Sequence, residues 1–275
     1  MSILNVAFYR FAKLKNLPQM RESLLAEAES LGLKGTILLS PEGMNGFLAG
    51  KEEPTERFLS GLLKIPGLED LIVKRSWTEQ IPFEFLLIKL KKEIIAFGVP
   101  GVEPEKFTAP RLEPQELKRW LDEGRPVKLV DTRNGYEMAL GAFEGALDLK
   151  LSTFREFPEK WRIAAQSFDP GTPVVMYCTG GIRCEKATAL AVQQGFPGPV
   201  FQLEGGILRY FEECGGAHYQ GGCFVFDDRV SLDPNLKAPE GMIQCRKCRA
   251  PWVAASVSET GDCVACRSDL AVVSA

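Results

Sequence analysis

The chain has 275 residues, a length that suggests about two domains with room for a small third. Its hydrophobic fraction of 45% and its charged fraction of 25% are those of an ordinary globular protein. The net charge of −3 excludes a strongly basic nucleic-acid-binding chain, so any contact with RNA must come from local patches. No apolar run approaches the length of a membrane span, and we expect no membrane partner.

Histidine and cysteine usage narrows the chemistry further. His218 is the only histidine, so one chain cannot build a two-histidine iron site or a three-histidine zinc site. We expect His218 itself to be a loop residue without a chemical role, since no triad partner stands beside it. The first residues lack the charged region and the cleavage site of a signal peptide, so we expect a chain without a secretion signal. In such a chain the eight cysteines indicate reduced thiols or metal ligands rather than a disulfide framework.

Residues 1–100 form the first predicted domain. Apolar periodicity predicts helices over 18–31 and 54–63, and strands over 4–11, 35–40, 85–90 and 94–97, with a further strand beginning at 47. The order strand-helix-strand-strand-helix-strand is typical of a ferredoxin-like, or acylphosphatase-like, α+β sandwich. Lys89, Lys91 and Lys92 near its end form either a solvated strand edge or a contact with phosphate.

A proline-rich link over 99–114 leads into the second predicted domain, over 112–217. Its pattern predicts strands over 127–131, 174–177 and 200–203, and helices over 114–123, 154–165, 185–194 and 205–213. Alternating strands and helices indicate a parallel sheet with helices on both faces. Such folds place their sites at the carboxyl ends of the strands.

One such strand runs directly into Cys178, and the following residues have the chemistry of an anion-binding loop. Gly180 and Gly181 allow close approach of the backbone, and a helix begins near Arg183. The helix N-terminus and the guanidinium both favour negative charge at the sulfur. We therefore predict that Cys178 is a thiolate nucleophile rather than an inert buried cysteine.

The third predicted segment, over 218–275, contains two Cys-x-x-Cys pairs. Fourteen residues separate the pairs, a spacing that can close a tetrahedral site of four thiolates. A segment this small buries little core, so a metal would supply its folding energy. We predict a zinc-ribbon-like segment whose structural zinc ion is held by the four cysteines Cys245, Cys248, Cys263 and Cys266. Four free thiols or an iron–sulfur cluster are the alternatives.

The six residues from Cys178 to Arg183 resemble the active-site loop of rhodanese domains, which cradles a persulfide sulfur. Residues 131–133 and 141–146 resemble the other signature segments of that family. The second of these usually reads Gly-His-Ile, so Phe143 is a departure. The resemblance is closer to the rhodanese-like tRNA uridine hydroxylases, and it extends through segments 35–46, 131–137, 153–158, 178–187 and 223–230 and the C-terminal cysteine pairs.

This resemblance implies a bacterial, cytoplasmic enzyme that uses dioxygen to hydroxylate C5 of the wobble uridine in the tRNA anticodon loop, forming 5-hydroxyuridine. It implies that Cys178 is the active-site cysteine and that Arg183 belongs to its anion cradle, with Asp131 and Arg133 in the catalytic site. The backbone of the loop completes the cradle through Thr179, Gly180, Gly181 and Ile182.

Cys184 lies immediately beyond the loop, and two interpretations of it remain open. It is a candidate for resolving an oxidised or persulfidated Cys178, or it is a helix residue that packs inward.

Two other functions remain open beside the hydroxylase. The loop chemistry alone favours a sulfurtransferase that carries sulfane sulfur on Cys178, because no residue pattern explains oxygen activation. No flavin fingerprint follows a strand, so no organic cofactor is expected. A non-catalytic tRNA-binding or redox-sensing module is the third hypothesis for the function. We expect tRNA contacts to be distributed over basic clusters at Lys89, Lys91 and Lys92, at Arg155, Lys160 and Arg162, and at Arg246, Lys247 and Arg249.

Overall fold

The computed structural model describes residues 2–245, 247, 251–253 and 266. The chain divides into two compact units. The first comprises residues 1–96 and 103–106, and the second comprises residues 97–102 and 107–275. In the described residues, no helix combines the length and the apolar character needed to cross a membrane.

The first unit is an antiparallel sheet of four strands with a fifth, parallel strand at one edge. Its elements are β1 (Ile3–Phe11), α1 (Leu17–Ser30), β2 (Lys34–Ser40), β3 (Gly43–Gly50), α2 (Glu52–Leu62), β4 (Ile72–Thr78) and β5 (Leu86–Leu90). The strand order is β4-β1-β3-β2-β5, and β5 pairs with β2 in the parallel direction. The chain order from β1 to β4 is therefore the predicted strand-helix-strand-strand-helix-strand.

The closing strand of this sheet differs from the prediction. β4 pairs with β1, although its sequence does not predict a strand. Its mixed charged and apolar residues are those of a half-exposed sheet edge, so they lack the apolar pattern of a buried strand. The strand predicted over 94–97 is wrong. The Ile94 amide donates to the Glu42 carboxylate at 2.8 Å, and the Ile94 carbonyl accepts from Asn45 at 3.2 Å. Side chains thus satisfy the backbone that a neighbouring strand would otherwise pair.

The second unit is built on five parallel strands in the order β6-β11-β10-β7-β9, so the predicted parallel sheet is confirmed. Its first elements are β6 (Arg111–Leu112), α3 (Pro114–Asp122), β7 (Lys128–Asp131), α4 (Gly135–Met138), β8 (Gly141–Phe143), β9 (Leu147–Asp148) and α5 (Phe157–Ala164). Those that follow are β10 (Val174–Tyr177), α6 (Ile182–Gln193), β11 (Val200–Leu203), α7 (Gly206–Cys214), β12 (Tyr219–Gly221), β13 (Cys223–Phe224), β14 (Ser231–Leu232), β15 (Met242–Gln244) and β16 (Pro251–Val253).

Two helix boundaries in this unit depart from the sequence pattern. α5 begins at Phe157 because residues 154–156 form a 3-10 turn, and Pro158 follows in the first turn, where proline is tolerated. α6 begins at Ile182, three residues before the start of the predicted 185–194 helix and one residue before Arg183, near which the loop chemistry predicts a helix start; it follows directly after the left-handed Gly181. The earlier start brings the N-terminus of α6 against the end of β10.

Residues 219–221 return to pair with an earlier strand of the second unit. β12 pairs with β8, and Tyr219 lies opposite Phe143. The Phe143 ring is 2% exposed and makes edge contacts with Tyr177, Tyr210 and Tyr219 at 4.7–5.1 Å between centroids. The departure from the rhodanese pattern at Phe143 therefore supplies a core aromatic residue, because an edge-to-face cluster buries a large apolar area.

Candidate active site

The candidate site lies at the carboxyl end of β10, in the middle of the parallel sheet. β10 is buried along its whole length and is flanked by β11 and β7. The chain leaves it at Cys178 and enters α6 at Ile182. Gly181 adopts a φ of 106°, a conformation that glycine reaches without steric cost. This turn folds the first amides of α6 back toward the cysteine.

Backbone amides and a neighbouring thiol surround the Cys178 sulfur. The Gly181 amide donates to Cys178 Sγ at 3.1 Å, and the Arg183 amide donates as well. Burial raises the pKa of the Cys178 thiol, but a hydrogen bond from Cys184, the charge of Arg183 and these amides together lower it to about 5. This lowered pKa favours the thiolate form of Cys178 at neutral pH.

Cys184 lies on the first turn of α6 and is fully buried. Burial and the adjacent Cys178 thiolate raise the pKa of Cys184 well above the usual thiol value. The two neighbouring cysteines thus hold opposite states at neutral pH, a thiolate and a protonated thiol that donates to it. Thr132 lies 3.7 Å from Cys184 Sγ and donates its hydroxyl hydrogen to the Tyr177 carbonyl at 3.0 Å. Cys184 is thus both an inward-packed helix residue and a direct partner of Cys178.

The Arg183 guanidinium forms a bidentate ion pair with Glu137. Its two terminal nitrogens lie 2.6 and 2.7 Å from the two oxygens of the Glu137 carboxylate, and both side chains are buried. Glu137 also accepts the amide of Asn134 at 3.1 Å, which caps α4. Burial raises the pKa of Glu137, but the charge and hydrogen bonds of Arg183 outweigh it and lower the pKa. Glu137 lies within the family-like segment 131–137, but no local sequence pattern indicates this ion pair.

Thr179 connects the loop to the strand that follows β12. Its hydroxyl lies 3.3 Å from the Phe224 carbonyl and 3.5 Å from the Glu137 carboxylate. It also contacts the thiol of Cys223, whose pKa burial raises to about 11. Cys223 is thus a protonated buried thiol beside the loop. Its place in the site follows from the β8–β12 pairing, which no local pattern in the sequence indicates.

The N-terminus of α7 packs directly on the loop. The Ile207 amide donates to the Cys178 carbonyl at 2.9 Å, and the Leu208 amide donates to the Thr179 carbonyl at 3.2 Å. Gly206 makes this approach possible, since a Cβ there would lie 2.4 Å from the Cys178 carbonyl oxygen. The left-handed φ of 66° at Gly206 also favours glycine. Two helix N-termini, those of α6 and α7, therefore meet at the cysteine.

Asp131 and Arg133 form a second buried ion pair at the end of β7. Arg133 lies 2.6–3.1 Å from the two carboxylate oxygens of Asp131, and it donates to the Gly141 carbonyl at 2.7 Å. These contacts hold β8 against the end of the sheet. The pair lies at the end of β7, the strand next to β10, and its described contacts are structural rather than with the Cys178 sulfur.

The other predicted residues are placed apart from this loop. Cys245 and Cys266 are both buried, with their sulfurs 4.0 Å apart, whereas Cys248 and Cys263 lie outside the described residues. His218 binds the Asp122 carboxylate at 2.7 Å. Among the described residues, no group of three or more histidine, cysteine or acidic side chains could hold a metal ion.

Most of the chain is similar in sequence to known proteins. Residues 3–94 match the UPF0176 acylphosphatase like domain, and residues 113–213 match the Rhodanese-like domain. The tRNA uridine(34) hydroxylase of Cupriavidus necator is 48% identical over 256 residues, which are 91% of this chain and 89% of that protein. The protein of the same name from Variovorax paradoxus is 48% identical over 241 residues, 86% of this chain and 91% of the relative. The Thiobacillus denitrificans protein is 46% identical over 250 residues, 89% of this chain and all of the relative. Because the similarity spans both units and nearly the full length of each relative, the chain belongs to the tRNA uridine(34) hydroxylase family.

Proposed function

We propose that this protein hydroxylates the wobble uridine of tRNA at C5, with Cys178 as its active-site nucleophile. The observation that carries the proposal is the Cys178 thiolate at the meeting point of two helix N-termini, in a chain whose relatives are named as uridine hydroxylases. A thiolate is the reactive form of cysteine, and the pKa of about 5 keeps it in that form at neutral pH. Dioxygen is the proposed co-substrate, and no organic cofactor is proposed.

The roles of the other residues follow from their contacts. Arg183 and the backbone of the loop stabilise negative charge on the sulfur. Cys184 supplies a hydrogen bond to the thiolate, and this contact supports the proposal that it resolves an oxidised Cys178. Asp131 and Arg133 are positioning residues, because they fix the end of β7 and the turn at Gly141.

Nucleoside mass spectrometry of tRNA incubated with the protein, with and without dioxygen, tests the activity. We expect oxygen-dependent 5-hydroxyuridine with the wild type and none with Cys178→Ala. Cys214→Ala is the matched control, since Cys214 is half-buried near the end of α7. Near-normal activity in Cys178→Ala would rule out this assignment.

A sulfurtransferase is the alternative that the loop chemistry allows. The names of the relatives favour the hydroxylase, and one assay separates the two. Thiocyanate formation from thiosulfate and cyanide, without oxygen-dependent 5-hydroxyuridine, would establish sulfur transfer instead.

The proposed RNA substrate is the anticodon loop of tRNA, in the cytoplasm. Unpaired bases in loops are the RNA targets most accessible to chemistry, because they leave the stack at low cost. Basic side chains exposed in the described residues, Lys89, Lys91 and Lys92 in the first unit and Arg155, Lys160 and Arg162 in the second, suit phosphate contacts. Binding should weaken as salt rises, because these contacts release counterions. Equal affinity for an acceptor-stem duplex would contradict this substrate.

A structural zinc ion in the C-terminal segment is also proposed, held by Cys245, Cys248, Cys263 and Cys266. The 4.0 Å separation of the Cys245 and Cys266 sulfurs supports it. Two sulfurs on one tetrahedral zinc ion, each about 2.3 Å from the metal, lie about 3.8 Å apart. Four protein ligands would leave no open position, so the ion would be structural rather than catalytic.

A further inference from the structure

Phe226 is a large apolar side chain that lies beside the loop and remains 47% exposed. The Arg183 guanidinium carbon lies 6.0 Å from the centroid of its ring. Arg183 is fixed by Glu137 and contributes its charge to the Cys178 thiolate. An exposed aromatic ring is thus next to the guanidinium that tunes the nucleophile.

The ring is held in this position by packing within the same segment. Phe226 contacts Phe224 edge-to-face, with 5.1 Å between centroids and 85° between planes. Phe224 in turn contacts Tyr136 at 5.3 Å, and its carbonyl lies 3.3 Å from the Thr179 hydroxyl. The support of the ring therefore continues into the loop that holds Cys178.

The turn that carries Phe226 is also closed by its own hydrogen bonds. The Val225 amide donates to the Val230 carbonyl at 3.0 Å, and the Val230 amide donates to the Asp227 carbonyl at 3.0 Å. Arg229 donates to the Asp227 carboxylate through two nitrogens, at 2.8 and 2.5 Å. A ring presented by a closed turn loses little conformational entropy on binding, which favours an anchor role.

We propose that Phe226 is the stacking platform for the pyrimidine base that is modified at the Cys178 site. The inference rests on the proposed function and names the side chain that receives the base. The Cys178 thiolate is 1% exposed, so a uridine must leave its stack to approach it. Proteins that bind splayed RNA bases stack them on aromatic rings and on guanidinium planes. Phe226 provides an exposed ring of this kind beside Arg183, whose guanidinium is itself buried against Glu137.

Photo-crosslinking tests the contact directly. Full-length tRNA carrying 5-iodouridine at the wobble position is bound to the intact protein, irradiated and mapped by mass spectrometry. We expect the crosslink at Phe226 and its loss in Phe226→Ala. Phe107→Ala is the matched control, because Phe107 is 45% exposed and belongs to the same unit. A crosslink that maps elsewhere, or one that survives in Phe226→Ala, overturns the proposal.

Affinity and thiol titration separate a platform from a structural residue. Loss of one stacked base should raise the Kd for tRNA by between about 5-fold and about 150-fold in Phe226→Ala. Phe226→Trp should retain the wild-type Kd, and the Cys178 titration should be unchanged in both variants. A Kd for Phe226→Ala equal to that of Phe107→Ala, in a protein that still forms 5-hydroxyuridine, contradicts the platform while leaving the proposed function intact. Absence of 5-hydroxyuridine in the wild type instead contradicts the function.

Discussion

The Glu137 carboxylate holds both terminal nitrogens of Arg183, at 2.6 and 2.7 Å, where neither side chain meets bulk solvent. The guanidinium is therefore a fixed part of the Cys178 loop rather than a mobile clamp for an incoming anion. Its carboxylate partner comes from α4, the short helix that directly follows β7 in the chain. The electrostatics of the thiolate thus depend on a residue that never contacts the sulfur.

Replacement of Glu137 by alanine should destabilise the protein strongly. Removal of one partner leaves Arg183 as a buried, uncompensated charge, which costs about 3–5 kcal/mol. Glu137→Gln keeps an acceptor and should cost less. Urea unfolding, analysed at constant m-value, measures both losses.

The control for this prediction is Glu116→Gln. Glu116 also forms a bidentate pair, with Arg119 at 2.6 and 3.0 Å, but on an exposed helix surface, and its carboxylate accepts the Trp120 indole at 2.6 Å, a hydrogen bond that the glutamine carbonyl can still accept. Solvent screens such a pair, so its loss should leave the unfolding midpoint nearly unchanged. Equal losses for Glu137→Gln and Glu116→Gln would show that burial of the Glu137 pair has no energetic consequence.

The same ion pair should make stability depend on pH in the acid range. The pKa of Glu137 is lower in the folded protein than its unfolded value of about 4.3. Between the two values the unfolded state binds more protons, so this contribution is fully present above pH about 4.3 and is lost as pH falls through the folded pKa. The difference between wild-type and Glu137→Gln unfolding free energies, measured from neutral to acid pH, should shrink across this window. A pH-independent difference would contradict the assignment.

The thiol of Cys184 should control the titration of Cys178. Ultraviolet absorbance of the thiolate, corrected with Cys178→Ala, should show a transition near pH 5 in the wild type. Cys184→Ala removes a hydrogen-bond donor to the thiolate, so the pKa of Cys178 should rise. Cys184→Ser retains a donor and should keep the pKa closer to that of the wild type. Identical titrations in the alanine and serine variants would mean that this hydrogen bond is not formed.

Gly206→Ala should disrupt the loop as well as strain the backbone. The new Cβ would lie 2.4 Å from the Cys178 carbonyl oxygen and 2.8 Å from that of Thr179, and backbone atoms cannot rotate away. Gly145→Ala is the matched control, because Gly145 has a φ of 69° and no atom within 4 Å of its added Cβ. Both variants lose about 1 kcal/mol to the left-handed backbone, and Gly206→Ala should lose more and shift the Cys178 titration. Equal stability of the two variants would exclude the close approach.

Zinc content tests the C-terminal proposal. Elemental analysis of protein purified without added metal should show about one zinc ion per chain, the stoichiometry of a closed four-cysteine site. Cys266→Ser should lose the metal, whereas Cys214→Ser should keep it. Four freely titratable thiols in metal-free protein would refute the site.

The Cys178 loop could be predicted because its parts are contiguous in the sequence. The strand, the glycines and the first turn of α6 lie within fifteen residues, and each has a local signature. Glu137 could not be predicted, because it reaches Arg183 across 46 residues and only the packing of α4 brings the two together. A carboxylate in a short helix is an ordinary surface residue by pattern, and only tertiary structure distinguishes it.

The fold shows the same division between local and non-local information. β10 and β11 were predicted at their observed positions, because buried parallel strands are continuous apolar runs. β4 was missed, since a half-exposed edge strand carries charged residues and lacks that run. The three-residue strands β8 and β12 pair with each other from distant parts of the chain. No window of sequence contains both partners.

The pairing of β12 with β8 has a consequence for the exchange of domains between proteins. The rhodanese-like match ends at residue 213, yet the Phe224 carbonyl beyond it supports the loop through Thr179. A chimera that received only residues 113–213 would carry the nucleophile without the segment that holds its loop from outside. A transferred segment that keeps the loop supported would have to extend at least to Leu232, where β14 pairs with β13.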